Sequence, residues 1–289
     1  MSIMKNVLVV SNFKAGRKRA IKYKKAVISF LIKNSNKFKF ISVDEISNMD
    51  ISDYDTIVAM GGDGTINSVL PYVYNTDKVL GIIPCGTANL LAARLKISNS
   101  IKKAIAVLKN GNVKTIDAMK INGELGILRF GLGFDSDIIC KTPQSLKNKF
   151  GYFSYFVAGC LFALRLKKKK YRLVINGSEE IKTNASCIIV ANAPNMWQNV
   201  VSVAHKSKLD DELLDVFILK TKNPIVFFFE LVRIILKIKV NNSRAEYLKA
   251  KSINIQNKWC YAHIDGEKRR YNEDININVE QKAIKVLAK

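Results

Sequence analysis

Residues 55–67 read DTIVAMGGDGTIN. The run Asp55–Met60 is almost unbroken in its apolar character, which predicts a strand buried on both faces, the pattern of a parallel sheet. Gly61-Gly62-Asp63-Gly64 stops it, and Thr65–Val73 follows with helical spacing. The same unit occurs twice more. Asn6–Val10 is a strand, Ser11–Gly16 a loop, and Arg17–Lys33 a helix with Ile21, Ile28 and Leu31/Ile32 in phase. Val79–Pro84 (VLGIIP) is a strand ending in Cys85-Gly86-Thr87, with Ala88–Leu95 helical after it. Strands alternating with helices imply an α/β domain whose parallel sheet is covered on both faces in three layers. In such sheets ligands bind beyond the carboxyl ends of the strands, where these loops sit.

After about Asp117 the period changes. Ala118–Ile121, Ile127–Gly133, Tyr171–Ile175, Ala185–Ala191, Leu214–Leu219, Ser252–Ile255 and Cys260–Ile264 read as strands, with two helical patterns between them. This predicts a mainly antiparallel β-sandwich with helices packed outside. The change in period alone places the division at residues 1–118 and 119–276.

The chain has 289 residues, 47 Lys+Arg against 24 Asp+Glu, and a formal charge of +23. Such a field favours polyanions: nucleic acid, anionic lipid headgroups or nucleotide phosphates; a lysine-biased composition without functional meaning is an equal reading. Five cysteines, Cys85, Cys140, Cys160, Cys187 and Cys260, are never spaced as C-x-x-C. That pattern argues against a disulfide framework and a zinc site, and for a reducing compartment. With only His205 and His263 present, the composition argues against a histidine-based metal centre. The first residues run directly into a strand, so no signal peptide is expected. Tyr152–Leu166 and Ile225–Leu236 are too short to span a bilayer.

Gly61-Gly62-Asp63-Gly64-Thr65 lies between a strand and a helix. Glycines there admit positive φ and let an anion approach the amides, and successive N–H groups at a helix start make a concave anion site. Asp63 would not bind phosphate itself; it either holds a Mg²⁺ that bridges phosphate oxygens or caps the helix in a tight turn. Gly86-Thr87-Ala88-Asn89 offers a second loop of the same kind, with the Thr87 hydroxyl at a helix start. The spacing Gly81-x4-Gly86-Thr87 lacks the lysine of a Walker-type site. The third loop, Asn12-Phe13-Lys14-Ala15-Gly16, leads into Arg17, Lys18, Arg19, Lys22, Lys24 and Lys25, which draw in a nucleotide, rest on anionic lipid or are simply solvated. Asp265 and Glu267 offer carboxylates able to activate a hydroxyl; they share a face if the strand Cys260–Ile264 continues, and decorate a turn if Asp265-Gly266 makes one.

These motifs together resemble a family. GGDGT with Asn67 two residues on, then GIIPCGTANLLAARL, the acidic stretch LDDELLDVFIL (Leu209–Leu219) and HIDGE are similar to the catalytic domain shared by diacylglycerol kinases, sphingosine kinases and bacterial lipid kinases, with NAD kinases as more distant relatives. The resemblance spans nearly the whole chain. It implies two domains with the tail 277–289 returning to the first. It implies that ATP is lined by Asn12, Phe13, Lys14, Ala15, Gly16, Gly61, Gly62, Asp63, Gly64, Thr65, Ile66, Asn67, Gly86 and Thr87. Asp63 would lie near the magnesium of Mg-ATP, and Glu267 and Asp265 near the attacking hydroxyl. A structural Mg²⁺ is implied at Asp211 and the carbonyls of Lys208 and Leu213. The chain departs from the pattern at Phe13, Ala15, His205 and Glu212, the last standing where the family's LDDG has glycine. Ser42 is the one candidate for a nucleotide-contacting hydroxyl ahead of GGDGT.

Gly151–Leu166 and Phe227-Phe228-Phe229 are aromatic helices that read as core or as interfacial contacts. The resulting expectation is a cytoplasmic, peripherally membrane-associated enzyme that phosphorylates a hydroxyl of a diacylglycerol-like membrane lipid. Anionic membrane is the expected surface partner and nucleic acid is not; the oligomeric state is open, a homodimer among the options. The alternatives are a NAD kinase-like small-molecule kinase and a catalytically inactive lipid-binding relative.

Overall fold

Every residue of Thr56–Gly61 and Val79–Pro84 is buried, as strands covered on both faces require. The computed structural model describes residues 4–13, 19–142, 166–192, 195–197, 201–202, 208–235, 243–256 and 259–289. Lys14, Ala15 and Gly16 of the first loop lie outside the described residues, as does the expected helix from Gly151 onward except Leu166. The chain divides into two units, Met1–Ile116 with Gln281–Lys289, and Asp117–Glu280. The division falls two residues before the change in period placed it.

The first unit contains β1 (Asn6–Ser11), α1 (Arg19–Asn34), β2 (Lys37–Ser42), β3 (Thr56–Gly61), α2 (Asp63–Val73), β4 (Val79–Pro84), α3 (Leu90–Arg94) and α4 (Ile101–Asn110). The strands lie in the order β2-β1-β3-β4, all parallel, and the end of the last strand, Ile275–Ala288, continues the order beside β4 through Lys285↔Val79. Helix α1 buries Ala20, Val27, Phe30 and Leu31, residues that recur along one stripe at helical spacing. Strand β2, KFKFIS, is an edge strand that buries only Ile41. Register sets Ser11 beside Met60 and Gly61 beside Pro84, so the loops after β1, β3 and β4 leave the sheet at one edge.

The second unit contains the remaining elements: the second half of β5 (Asn112–Ile121), β6 (Glu124–Gly126), β7 (Arg129–Gly133), α5 (Phe134–Lys141), β8 (Lys169–Ile175), β9 (Glu179–Ala185), β10 (Cys187–Ala191), β11 (Asn195–Trp197), β12 (Val201–Ser202), β13 (Leu214–Leu219), α6 (Pro224–Ile235), β14 (Ala245–Ala250), β15 (Ser252–Gln256), β16 (Cys260–Ile264), β17 (Glu267–Tyr271) and the first part of β18 (Ile275–Ala288). One antiparallel sheet runs β14-β13-β10-β7-β16-β17; the facing strands run β18-β15-β8-β9. Between them sits a core of Phe130, Leu132, Ile188, Val190, Val216 and Ile264 against Leu173, Ile175, Ile253, Ile255, Ile275 and Ile277. This is a β-sandwich. On the other face of the first sheet Phe134 of α5 and Phe227 of α6 pack on Ile189 and Phe217, their rings 4.6 Å apart. Phe227 is therefore core, whereas Phe229 is 61 % exposed. Among the described residues no helix is long and apolar enough to cross a membrane.

Candidate active site

The loops after β3 and β4 touch through their glycines. A Cβ on Gly86 would stand 2.5 Å from the Cα of Gly62, and one on Gly62 would stand 3.1 Å from the Cα of Gly86. Only backbone fits there. The expectation that these glycines supply positive φ is corrected: Gly62 has φ −99°, and the left-handed residue of the pair of loops is Asn89, at φ +50°. What the glycines permit is close approach of two chains. The loops are further joined by Cys85 and Gly86 N–H groups donating to the Gly61 carbonyl, at 2.7 and 3.2 Å.

Asp63 opens α2 and reaches the other loop. Its carboxylate accepts the N–H groups of Leu90 (3.1 Å) and Leu91 (3.3 Å), so it caps the five-residue helix α3, whose own N-cap residue Asn89 makes no side-chain cap. Burial pushes its carboxyl pKa up, against these backbone donors, which pull it down. The N–H groups of Asn89 and of Asp63 itself bond the same carboxylate. Among the described residues no neighbouring atom lies within 4 Å of where a Cβ at Gly64 would point, so among them the first turn of α2 is open on that side. Thr65 is buried, Ile66 is in the core and Thr87 is exposed.

Asparagines line the inner side of these loops. Asn89, 3 % exposed, donates to the Gly86 carbonyl at 3.0 Å and to Asn99 Oδ1 at 2.8 Å. Its own Oδ1 and that of Asn67 are buried without a hydrogen-bond partner among the described residues, and such groups ordinarily find one. Asn12 closes the end of β1 by donating its N–H to Met60 (3.4 Å). Phe13 faces the Lys24 ammonium at 5.1 Å. Ser42 ends β2 level with Ser11, its N–H held by Glu45 at 2.5 Å. Arg19, absent from the ATP-lining set the sequence suggests, reaches the Gly86 carbonyl at 3.4 Å. Cys85 is no nucleophile: burial pushes its thiol up to about 12.

In the second unit Asp265 and Gly266 form the two-residue turn between β16 and β17, with φ +51° and +89° and Ile264 paired to Glu267. Both central residues are left-handed, as the tight hairpin turn demands. The turn reading of Asp265-Gly266 therefore holds over the continued strand. The Asp265 carboxylate accepts three N–H groups, from Ile127 (2.8 Å), Leu128 (2.9 Å) and Arg129 (2.7 Å). Burial raises its pKa, and the three donors and His263 oppose that. Glu267 is exposed and pairs with Arg269 at 3.1 Å.

A buried set that the sequence reading did not assemble stands behind the turn. Gly266 N–H donates to His263 Nδ1 at 3.2 Å, which puts the imidazole proton on Nε2, 2.7 Å from Asp135 Oδ2. The other Asp135 oxygen lies 3.3 Å from Arg129. Burial opposes ionisation of Asp135, but Arg129 and His263 outweigh it and hold its pKa down to about 2. His263 is 0 % exposed, and nothing in its spacing from Asp135, 128 residues away, announces the contact.

In the acidic stretch expected to hold a structural Mg²⁺, a lysine stands beside the aspartate. Asp211 Oδ2 lies 2.5 Å from the Lys249 ammonium, and its Oδ1 accepts Leu213 N–H at 3.3 Å. Glu212 sits at φ +61°, the left-handed region that glycine tolerates best. Its N–H donates to the buried Asp117 at 2.8 Å, and Asp117 N–H donates to the Leu209 carbonyl at 2.6 Å. The stretch is held by protein groups.

Residues 6–121 match the diacylglycerol kinase catalytic domain family, and residues 131–288 match the YegS C-terminal NAD kinase beta sandwich-like domain. A diacylglycerol kinase of Bacillus subtilis is 28 % identical over 222 residues, 75 % of this chain and 72 % of that protein. An uncharacterized protein of Synechocystis is 34 % identical over 160 residues, 55 % of this chain, which spans only 37 % of that longer protein. The crystal structure of a putative diacylglycerol kinase from Bacillus anthracis superposes with a TM-score of 0.83 over 100 % of this chain and 97 % of that one, at 21 % identity.

Proposed function

Since the chain belongs to the diacylglycerol kinase catalytic-domain family of lipid kinases, we propose that it transfers the terminal phosphoryl group of ATP to a hydroxyl of a diacylglycerol-like membrane lipid. The observation that carries this reading is the glycine-to-glycine contact of Gly62 and Gly86 at the carboxyl ends of two neighbouring parallel strands, beside an α2 N-terminus open at Gly64. Amides at a helix start favour anions, and the buried oxygens of Asn67 and Asn89 await donors, which the adenosine part of a nucleotide carries.

Phosphoryl transfer asks the protein for position and charge. The start of α2 at Gly64 would face phosphate oxygens, and Arg19 reaches the Gly86 carbonyl of the neighbouring loop. Asp63, by capping α3, locks the two loops in one geometry, and its carboxylate would lie near the magnesium that accompanies the nucleotide, which would neutralise phosphate charge. Glu267, exposed at the start of β17, is the proposed acceptor of the lipid hydroxyl's proton. Asp265 has its oxygens committed to three backbone amides, so its proposed part is to set the turn that presents Glu267.

Purified protein should move radiolabelled phosphate from ATP to diacylglycerol in mixed micelles and leave NAD unlabelled. Asp63→Asn keeps an acceptor for one of the two α3 amides and should lower turnover at least ~100-fold in a protein that still unfolds cooperatively. Labelling of NAD in preference to lipid, or full turnover in Asp63→Asn, contradicts the proposal.

A further inference from the structure

A cavity of about 840 Å³ opens on the second unit, lined by Lys169, Lys170 and Arg172 of β8, Lys182 of β9 and Trp259 just ahead of β16. Its acids are few. Asp274 is in the wall, and Glu180 is shared by Arg172 (2.7 Å) and Lys182 (3.2 Å). Lys169 and Lys170 are exposed and continue the exposed pair Lys167 and Lys168, so the groove carries surplus positive charge. Trp259 is 46 % exposed and Tyr261 39 %, their rings 4.8 Å apart and nearly perpendicular, at 73°. Arg270 lies over the Trp259 ring at 5.5 Å and Lys268 over the Tyr261 ring at 4.6 Å.

Exposed Trp and Tyr ringed by Lys and Arg match the chemistry of a bilayer's headgroup zone, where amphipathic rings settle and cations meet anionic lipid. They suit a nucleic-acid strand less well. Each ring has one face taken by a cation and the pair meets edge to face, which is a poor platform for successive stacked bases. We propose that this groove is the surface by which the protein docks on an anionic lipid bilayer, with Trp259 and Tyr261 at headgroup level and Lys169 and Lys170 against lipid phosphates. The proposal rests on the lipid-kinase reading, which requires the protein to reach a substrate held in a membrane, and it names a surface for that encounter.

The test is cosedimentation of the full chain with vesicles of phosphatidylcholine alone and with about one-third phosphatidylglycerol, at low and high salt. Each cation near the surface is worth about five-fold in binding. Wild type is expected to prefer the anionic vesicles and to lose them at high salt. The pair Lys169→Gln/Lys170→Gln should weaken that binding about 25-fold and Trp259→Ala about 10-fold, both with wild-type melting temperatures. Both variants should keep wild-type phosphorylation of short-chain diacylglycerol in neutral detergent micelles. Vesicle binding unchanged in the variants overturns the proposal, as does loss in them of oligonucleotide binding alone. If wild type labels no lipid in micelles yet the vesicle results hold, the kinase reading fails and the docking surface stands.

Discussion

Asp-Gly stands in two of the motifs, as Asp63-Gly64 and as Asp265-Gly266, and the two copies are built differently. The first opens a helix: Asp63 points its carboxylate at the amides of a neighbouring loop's helix, and Gly64 has ordinary φ with empty space where a side chain would go. The second closes a hairpin: both residues are left-handed, and the carboxylate is spent on three successive amides leading into the strand alongside. One dipeptide thus makes an open anion site in one unit and a braced turn in the other. Glycine is needed for access in the first and for backbone conformation in the second.

The sharpest way to break this contrast is to delete the two carboxylates. Asp265→Ala leaves three amides without their acceptor and should cost ~3–5 kcal/mol of stability, read from urea denaturation. Asp63→Ala loses a helix cap and should cost only ~1 kcal/mol; equal costs would erase the distinction. Next in size is the acid behind the hairpin. Asp135 has a folded-state pKa of about 2 against 3.8 for a free carboxyl, so its contribution is present above pH 3.8 and is lost as the pH falls toward 2. The loss should reach about 2 kcal/mol and be absent from Asp135→Asn when stability is followed through acid. Smallest are the glycines. Gly266→Ala forces a side chain into a left-handed position and should cost ~1 kcal/mol, whereas Gly64→Ala should change stability by less than ~0.5 kcal/mol, both by thermal denaturation.

The parts of the fold visible from the chain alone were those where burial covers both faces. TIVAMG, VLGIIP and LDVFIL are buried at every position, and continuous apolar runs advertise such strands. What stayed hidden were edge or half-wet strands rich in charge: KFKFIS, EEIKTNA, AEYLKA and EKRRY. There the pairing partner supplies the strand, and the residues themselves favour it weakly. The helix Phe134–Lys141, with two aspartates in its first turn, is too short to show a helical period. At the site, the glycine loops were legible because two of them follow buried strands. The reason for the glycines was not, since the Gly62–Gly86 contact joins residues 24 positions apart through space. The same holds for Asp135 and His263. Asp211 was placed by motif, while Lys249, which neutralises it, comes from a strand 38 residues later.

The central claim is that the open start of α2 receives a nucleotide's phosphates. Calorimetric titration of Mg-ATP into wild type and Gly64→Val addresses it directly, because the space at Gly64 lets a side chain in without disturbing the fold. The expected result is at least ~10-fold weaker binding in a variant that melts within a few degrees of wild type. Equal affinity in a well-folded Gly64→Val would place the phosphates elsewhere and contradict the account.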